Sequence, residues 1–220
     1  NLQEITYDDK DILQDATIGM WFRTNGEGVL VRHGDEDDPD AGKTSTLQPD
    51  DYRLEVQSDG KVHVGWSNLV GWEYSMFLLP RPIWRYEEHL VSSTAVNDGN
   101  WHHVALVHEQ NGEKSYLYVD GVVEDIFDGR WHWWARYGGG YGDGTYETWW
   151  LWWAKVHTGI SGANRTAKLR VGEQFTGALD EVFVWNTSKD ASWLREYVEE
   201  LPPLKGDEVG LVSYFDFNYE

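Results

Sequence analysis

Apolar and polar residues alternate with a period of two along most of the chain, and turn-forming residues interrupt the alternation, the pattern of strands with one buried face. Tyr52, Leu54 and Val56 alternate up to Ser58-Asp59-Gly60, and Val62, Val64 and Trp66 resume the alternation beyond it. The two runs predict a hairpin turning at Asp59-Gly60. Alternation over 101–107, a turn at Asn111-Gly112, a run over 116–119, a turn at Asp120-Gly121 and then Val122-Val123 predict a three-stranded meander. One segment follows a helical period instead. Over 188–201 the apolar residues are Leu194, Tyr197, Val198 and Leu201, with Ser188 or Asp190 as N-cap and Pro202 as the stop. A last strand is predicted at 209–219, where Val209, Leu211, Phe215 and Phe217 alternate. Many strands and one short C-terminal helix predict an all-β fold, an antiparallel β-sandwich, formed as a single domain over 1–220.

Charge then removes several partners. Asp and Glu number 38 against 18 Lys and Arg, a formal net charge of −20. Such a surface repels phosphate backbones and anionic lipid headgroups, which excludes nucleic acid and membrane surfaces. No apolar run approaches the roughly 20 residues of a membrane span. The absence of cysteine removes disulfide frameworks, thiolate zinc sites and cysteine nucleophiles together. The chain opens at Asn1 with no signal-like apolar stretch, as a processed, exported product or a trimmed chain does. Aromatic content is high and uneven: of 14 tryptophans, those at 131, 133, 134, 149, 150, 152 and 153 crowd around glycines at 138, 139, 140, 142 and 144.

The segment Asp98-Gly99-Asn100-Trp101-His102-His103-Val104-Ala105, continuing to Leu117-Tyr118-Val119-Asp120-Gly121, resembles the central hairpin of laminin-G-like and pentraxin-like domains of the concanavalin A-like lectin/glucanase group. Ala16-Thr17-Ile18-Gly19-Met20-Trp21-Phe22 is similar to that family's early strand, and Phe175-Thr176-Gly177-Ala178-Leu179-Asp180-Glu181-Val182 to its late one. The resemblance implies a jelly-roll sandwich, an extracellular setting and, in many relatives, a structural calcium near the equivalent of the Asp180 strand. Two features depart from the family pattern. An aromatic-rich insertion occupies 126–168, and a strand of the type that often opens the family, Leu211-Val212-Ser213-Tyr214-Phe215-Asp216-Phe217, stands at the C-terminus. That strand is expected to be permuted or donated, with Leu211, Phe215 and Phe217 as its exchange contacts.

Catalytic chemistry finds little support. Glycoside hydrolysis needs two carboxylates facing one bond, whereas the neighbours in Asp180-Glu181 and Glu87-Glu88 point to opposite faces of a strand. His102 and His103 diverge for the same reason, which argues against zinc and for packing or capping of the sheet. Ca2+ is the better metal, with Asp180 and, in the acidic loop at 35–40, Asp35 and Asp37 as candidate ligands; solvated acidic loops are the plain alternative. Asp59, Asp98 and Asp120 precede glycine and are read as turn residues, and Trp21, Trp66, Trp101 and Trp185 as core. The insertion reads as a long hairpin aromatic on both faces, too apolar to leave both in water. Trp131, Trp133, Trp134, Tyr137, Trp149, Trp150 and Trp153 are therefore candidate contacts to a glycan, a protein partner or another copy of the chain, against the alternative of a local minicore. Asn164 and Asn186 begin glycosylation sequons. Two functions fit: a secreted, non-catalytic recognition or adhesion module binding glycan or glycoprotein, or a self-assembling structural subunit of an extracellular fibre or coat, joined by the donated strand and tryptophan contacts.

Overall fold

The computed structural model describes residues 3–5, 15–34, 44–45, 50–73, 81–109, 114–128, 132–133, 140–141, 144–145, 155–156 and 168–217. In chain order the elements are β1 (Gln3–Ile5), β2 (Asp15–Arg23), β3 (Gly28–Gly34), β4 (Thr44–Ser45), β5 (Asp50–Val56), β6 (Lys61–Glu73), β7 (Arg81–Ala95), β8 (Trp101–Glu109), β9 (Lys114–Val119) and β10 (Val122–Asp128). Four two-residue strands follow: β11 (His132–Trp133), β12 (Gly140–Tyr141), β13 (Gly144–Thr145) and β14 (Lys155–Val156). The chain closes with β15 (Lys168–Val171), β16 (Ala178–Trp185), α1 (Ala191–Glu200) and β17 (Leu211–Phe215). A seven-stranded sheet runs β1-β15-β3-β5-β6-β7-β4, and a six-stranded sheet runs β10-β9-β8-β2-β16-β17. Every pairing is antiparallel. Among the described residues no helix is long and apolar enough to cross a membrane.

The predicted hairpin forms in the expected register, Tyr52 opposite Trp66, Leu54 opposite Val64 and Val56 opposite Val62. Gly60 takes the turn at φ +80°, a conformation that favours glycine. The meander β8-β9-β10 also forms, turning at Asp120 (φ 50°) and Gly121 (φ 76°). Between the two sheets lie Met20, Phe22, Leu30, Leu54, Val64, Trp66, Val104, Leu106, Leu117 and Leu169, all buried. The Trp66 ring stacks on His89 at 4.1 Å and meets Phe127 edge-on at 4.9 Å.

The six-stranded sheet is apolar on its second face too. Ala105, Val107 and Tyr118 pack under Leu194, and Phe183 and Trp185 pack under Tyr197, so α1 lies on the outer face. Asp190 caps the helix by accepting from Trp193 N–H at 2.8 Å. Leu201 ends it at φ 44°, immediately before a proline that disfavours helical geometry in the preceding residue. Close approach of the helix depends on Gly121, where a Cβ would stand 3.1 Å from the Arg195 Cα.

Several expectations need correction. The insertion is shorter than 126–168, because Ile126, Phe127 and Asp128 continue β10 against Tyr116, Ser115 and Lys114, and Lys168 already belongs to β15. The helix begins at Ala191 rather than 188, since Asp190 takes the cap. Trp66 and Trp185 are core, but Trp21 is half-buried and Trp101 is 42% exposed. Trp101 opens β8 on the outer face, beyond the ground that α1 covers. The terminal strand is Leu211–Phe215, and Val209, expected within it, is 98% exposed in the turn that precedes it. This strand pairs with β16 of its own chain, Val182 opposite Phe215, Val184 opposite Ser213 and Trp185 opposite Leu211. Phe215 and Phe217 then pack on the central core. The strand, expected to be permuted or donated, here takes the permuted arrangement along the edge of β16.

At the opposite side of the sandwich, carboxylates close the gap between the sheets. Glu124 Oε2 accepts from the backbone N–H of Ser93 at 2.7 Å and of Thr94 at 2.8 Å, and Asp125 Oδ2 from Val91 N–H at 2.9 Å. Both serine and threonine hydroxyls add to the Glu124 set. Replacing Glu124 by alanine leaves these donors to water or to nothing, and charge-assisted bonds carry roughly 1.5–3 kcal/mol each at most. Glu124→Ala is therefore expected to lower the unfolding free energy in urea by about 2–4 kcal/mol; a loss below about 0.5 kcal/mol would mean that water replaces the carboxylate without penalty. Deleting residues 209–220 strips cover from Phe183 and Trp185, so the shortened chain is expected to aggregate or lose its cooperative thermal transition. A soluble truncated chain with the parent's midpoint would contradict this.

Candidate functional site

Strand alternation sorts the two adjacent histidines into opposite environments. His102 lies at the mouth of the sandwich, its Nδ1 2.8 Å from Asp120 Oδ2 and its Nε2 3.2 Å from Asp98 Oδ1. Asp98 Oδ1 also accepts from Asn100 N–H at 2.8 Å. A second copy of this arrangement holds His63, whose Nε2 is 3.1 Å from Asp59 Oδ1 and whose Nδ1 is 2.6 Å from Glu88, with Lys61 N–H on Asp59 at 3.0 Å. The turn aspartates thus do more than turn the chain. The signal was present in the sequence as Asp-Gly-x-x-His at 59–63 and again at 98–102, where the fourth residue on returns over the aspartate.

His103 points the other way, under α1. It is fully buried among Trp21 at 5.4 Å, Tyr197 at 5.6 Å and Phe183 at 5.8 Å, and neither ring nitrogen has a hydrogen-bond partner. Burial pulls its pKa down to about 3, so the ring is neutral. Burial also pulls on His102, but the hydrogen bond and charge of Asp120, then those of Asp98, outweigh it and leave its pKa above the ordinary value.

Asp180 and Glu181 were expected to diverge, and a bulge in β16 alters that geometry. Pairing with β2 is irregular between Asp180 and Phe183, and Glu181 sits at φ 49°. The Glu181 carboxylate consequently reaches the outer face, where Oε2 accepts from Tyr197 Oη at 3.2 Å and from Tyr214 Oη. Burial, followed by Glu181, pushes both phenols above the ordinary tyrosine range, so they remain donors. One carboxylate thereby joins β16, α1 and β17. Asp180 Oδ1 accepts from Glu181 N–H at 2.9 Å. Among the described residues no three His, Asp or Glu converge as a metal site, and Asp35 and Asp37 lie outside them.

The outer face has an open end beyond α1. In register across three strands, Trp101 faces Arg23 and Arg23 faces Ala178; one step along, His103 faces Trp21 and Trp21 faces Asp180. Directly opposed residues, and those two apart on a strand, share a face. Trp101 and Arg23 are exposed, Trp21 and Asp180 half-buried, and the Arg23 guanidinium carbon lies 5.2 Å from the centre of the Trp101 ring. Sequence reading placed Trp21 and Trp101 in the core, because alternation cannot show how far a short helix extends over a sheet.

The remaining candidates are placed only in part. Trp131, Trp134, Tyr137, Trp149, Trp150, Trp153 and Asn164 lie outside the described residues. The backbone of the insertion does pair as nested antiparallel pieces, His132 opposite Val156, Trp133 opposite Lys155, and Gly140 opposite Thr145. Asn186 follows β16, its N–H bonded to Gly210 O at 2.9 Å and its half-buried side chain close against Gly210.

Two antiparallel sheets packed face to face, with one short helix on an outer face, define a lectin-like jelly-roll sandwich. Residues 3–141 match the laminin-G family of the Concanavalin A-like lectin/glucanases superfamily, and the chain belongs to that family. Among solved structures it is similar to CBM40 of the Ruminococcus gnavus IT-sialidase bound to α2,3-sialyllactose, with a TM-score of 0.53 and 13% identity over 90% of this chain and 97% of that one. A candidate carbohydrate-binding protein of Bacteroides ovatus gives a TM-score of 0.53 at 14% identity, over 98% of this chain but only 49% of its own length. The heptameric SAP-like pentraxin of Limulus polyphemus gives 0.47 at 12% identity, over 84% of this chain and 70% of that one. No curated protein matches the chain in sequence.

The neighbouring histidines give opposite pH dependences. His103 has a depressed folded pKa, so the unfolded chain binds the extra proton, and stability falls by up to about 1.4 kcal/mol per pH unit from about pH 6.5 towards 3. His102 has a raised folded pKa, so its contribution is complete below about pH 6.5 and is lost as pH rises through the folded value. His103→Phe is expected to flatten the acid limb of a stability–pH curve, and His102→Gln to remove the loss on the alkaline side. Parallel curves for parent and His103→Phe between pH 6 and 4 would refute the first assignment.

Proposed function

We propose that the protein is a non-catalytic recognition module that binds glycan or glycoprotein outside the cell. The observation that carries this reading is the open end of the outer face, where an exposed tryptophan with a guanidinium over its ring shares a rigid sheet with a carboxylate two strands away. Aromatic rings accept the C–H faces of sugars while flanking polar groups take the hydroxyls. Membership of the laminin-G family and the likeness of the fold to a sialidase's CBM40 support the same class. Glu181 also fits a binding module better than an enzyme, since a general acid or nucleophile must be free to reach a glycosidic oxygen or carbon, and this carboxylate is held by two phenols. The terminal strand pairs with β16 of the same chain, the closed-monomer alternative to exchange between copies.

The reading is tested by presenting the labelled chain to arrayed glycans and to a panel of glycoproteins before and after enzymatic deglycosylation. Retention on glycosylated targets, lost on deglycosylation and without release of reducing sugar, is expected. Equal retention on deglycosylated proteins would point to protein recognition alone, and filaments in negative stain would favour the structural-subunit reading.

A further inference from the structure

We propose that Trp101, Arg23, Trp21 and Asp180 form a subsite for an uncharged pyranose, separate from the tryptophan-rich insertion; the assignment rests on the reading of the chain as a glycan-binding module. Geometry comes first. The four residues lie on β8, β2 and β16, three neighbouring strands of one sheet, and their register places them on one face. Two strand spacings and two residues of rise give a strip roughly 12 Å from Trp101 to Asp180, room for two sugar rings. Farther along β8 on this face, His103, Ala105 and Val107 are all fully or almost fully buried under α1, whereas Trp101 is 42% exposed. The Arg23 guanidinium lies over one face of this indole, 5.2 Å from the ring centre, so the platform offered to a sugar is the other face, on a strand paired along its length with β2.

The chemistry of the flanking groups narrows the ligand. Arg23 offers only donors and Asp180 only acceptors, with Oδ1 of Asp180 already receiving Glu181 N–H. Vicinal hydroxyls both donate and accept, so a neutral sugar lying along the strip can satisfy both groups. A carboxylate- or sulfate-bearing sugar meets a different field. Arg23 is the one cation of the strip, Asp180 balances it, Glu181 adds a second negative charge beside it, and the chain carries −20 overall. The α2,3-sialyllactose held by the Ruminococcus gnavus neighbour is anionic, and 13% identity extends the fold alone to this chain.

Calorimetry and tryptophan emission on the full chain, with lactose and cellobiose as neutral probes and sialyllactose as the anionic one, test the assignment. Binding of a neutral probe is expected, nearly independent of salt, weakened at least tenfold in Trp101→Ala and in Arg23→Met, and unchanged in Val122→Ala, an exposed position on β10 outside the strip. Arg23→Met serves as the second variant if Trp101→Ala does not fold, because Arg23 is exposed and its stem is retained. Neutral-sugar binding that survives both substitutions would move the site elsewhere and overturn the assignment while leaving the glycan-binding reading intact, as would a preference for sialyllactose over both neutral probes. A parent chain that binds none of the three probes but is retained on arrayed glycans would overturn the ligand class proposed here, and one that binds no glycan in either format would end the broader reading as well.

Discussion

The six-stranded sheet is apolar on both faces, and among the described residues a single helix is available to cover the second. Against the seven-stranded sheet it buries Met20, Phe22, Val104 and Leu106; on the other side it presents Ala105, Val107, Tyr118, Phe183 and Trp185. A helix of 10 residues is about 15 Å long, whereas six strands span roughly 24 Å or more. Cover must therefore be partial. The helix is placed where the side chains are bulkiest, and Gly19 makes room for the Phe183 ring, which would stand 2.4 Å from a Cβ there. What remains open is the end bearing Trp101 and Arg23. The candidate site is thus a consequence of packing as much as of chemistry.

The same constraint ties the terminal strand to the helix. Without β17, the edge of β16 and the flank of α1 would both be open. Tyr214 from β17 and Tyr197 from α1 converge on one oxygen of Glu181, so the strand and the helix stabilise each other through a residue that the β16 bulge turns outward. Phe215 and Phe217, two residues apart, reach around to the central core.

Much of this was legible in the sequence, and what was not has identifiable causes. Period-two alternation located the Tyr52–Trp66 hairpin in its register, and the Asp190 and Pro202 signals bounded α1, because both patterns report local backbone geometry. Which face a tryptophan serves is a different matter. Trp66 and Trp101 occupy similar alternating runs, yet one is fully buried and the other exposed, since burial is decided by an element some ninety residues away. Glu181 was misread for a related reason: adjacency predicts opposite faces only on a regular strand, and a bulge cancels the rule. The intrachain pairing of β17 could not be read at all, because a strand carries no mark of whose sheet it completes.

Acidity, finally, has a structural use here that composition conceals. Glu124 and Asp125 take the backbone N–H groups of β7 where no further strand takes them, Asp59 and Asp98 take those of their turns, Asp190 caps the helix, and Glu208 accepts from Lys205 and Gly206 N–H. Each carboxylate stands in for a missing backbone partner and gains a charge-assisted bond in doing so. Hydrogen bonds from the backbone, with nearby histidines, hold Asp59 and Asp98 below the ordinary carboxylate range. Carboxylates committed in this way serve the fold, so a high acidic count has a use that needs no metal. Their field is not cancelled by these bonds, however, and it extends over the open strip. An acidic sandwich that exposes an indole beside one arginine is therefore suited to ligands that bring hydroxyls and apolar ring faces rather than negative charge.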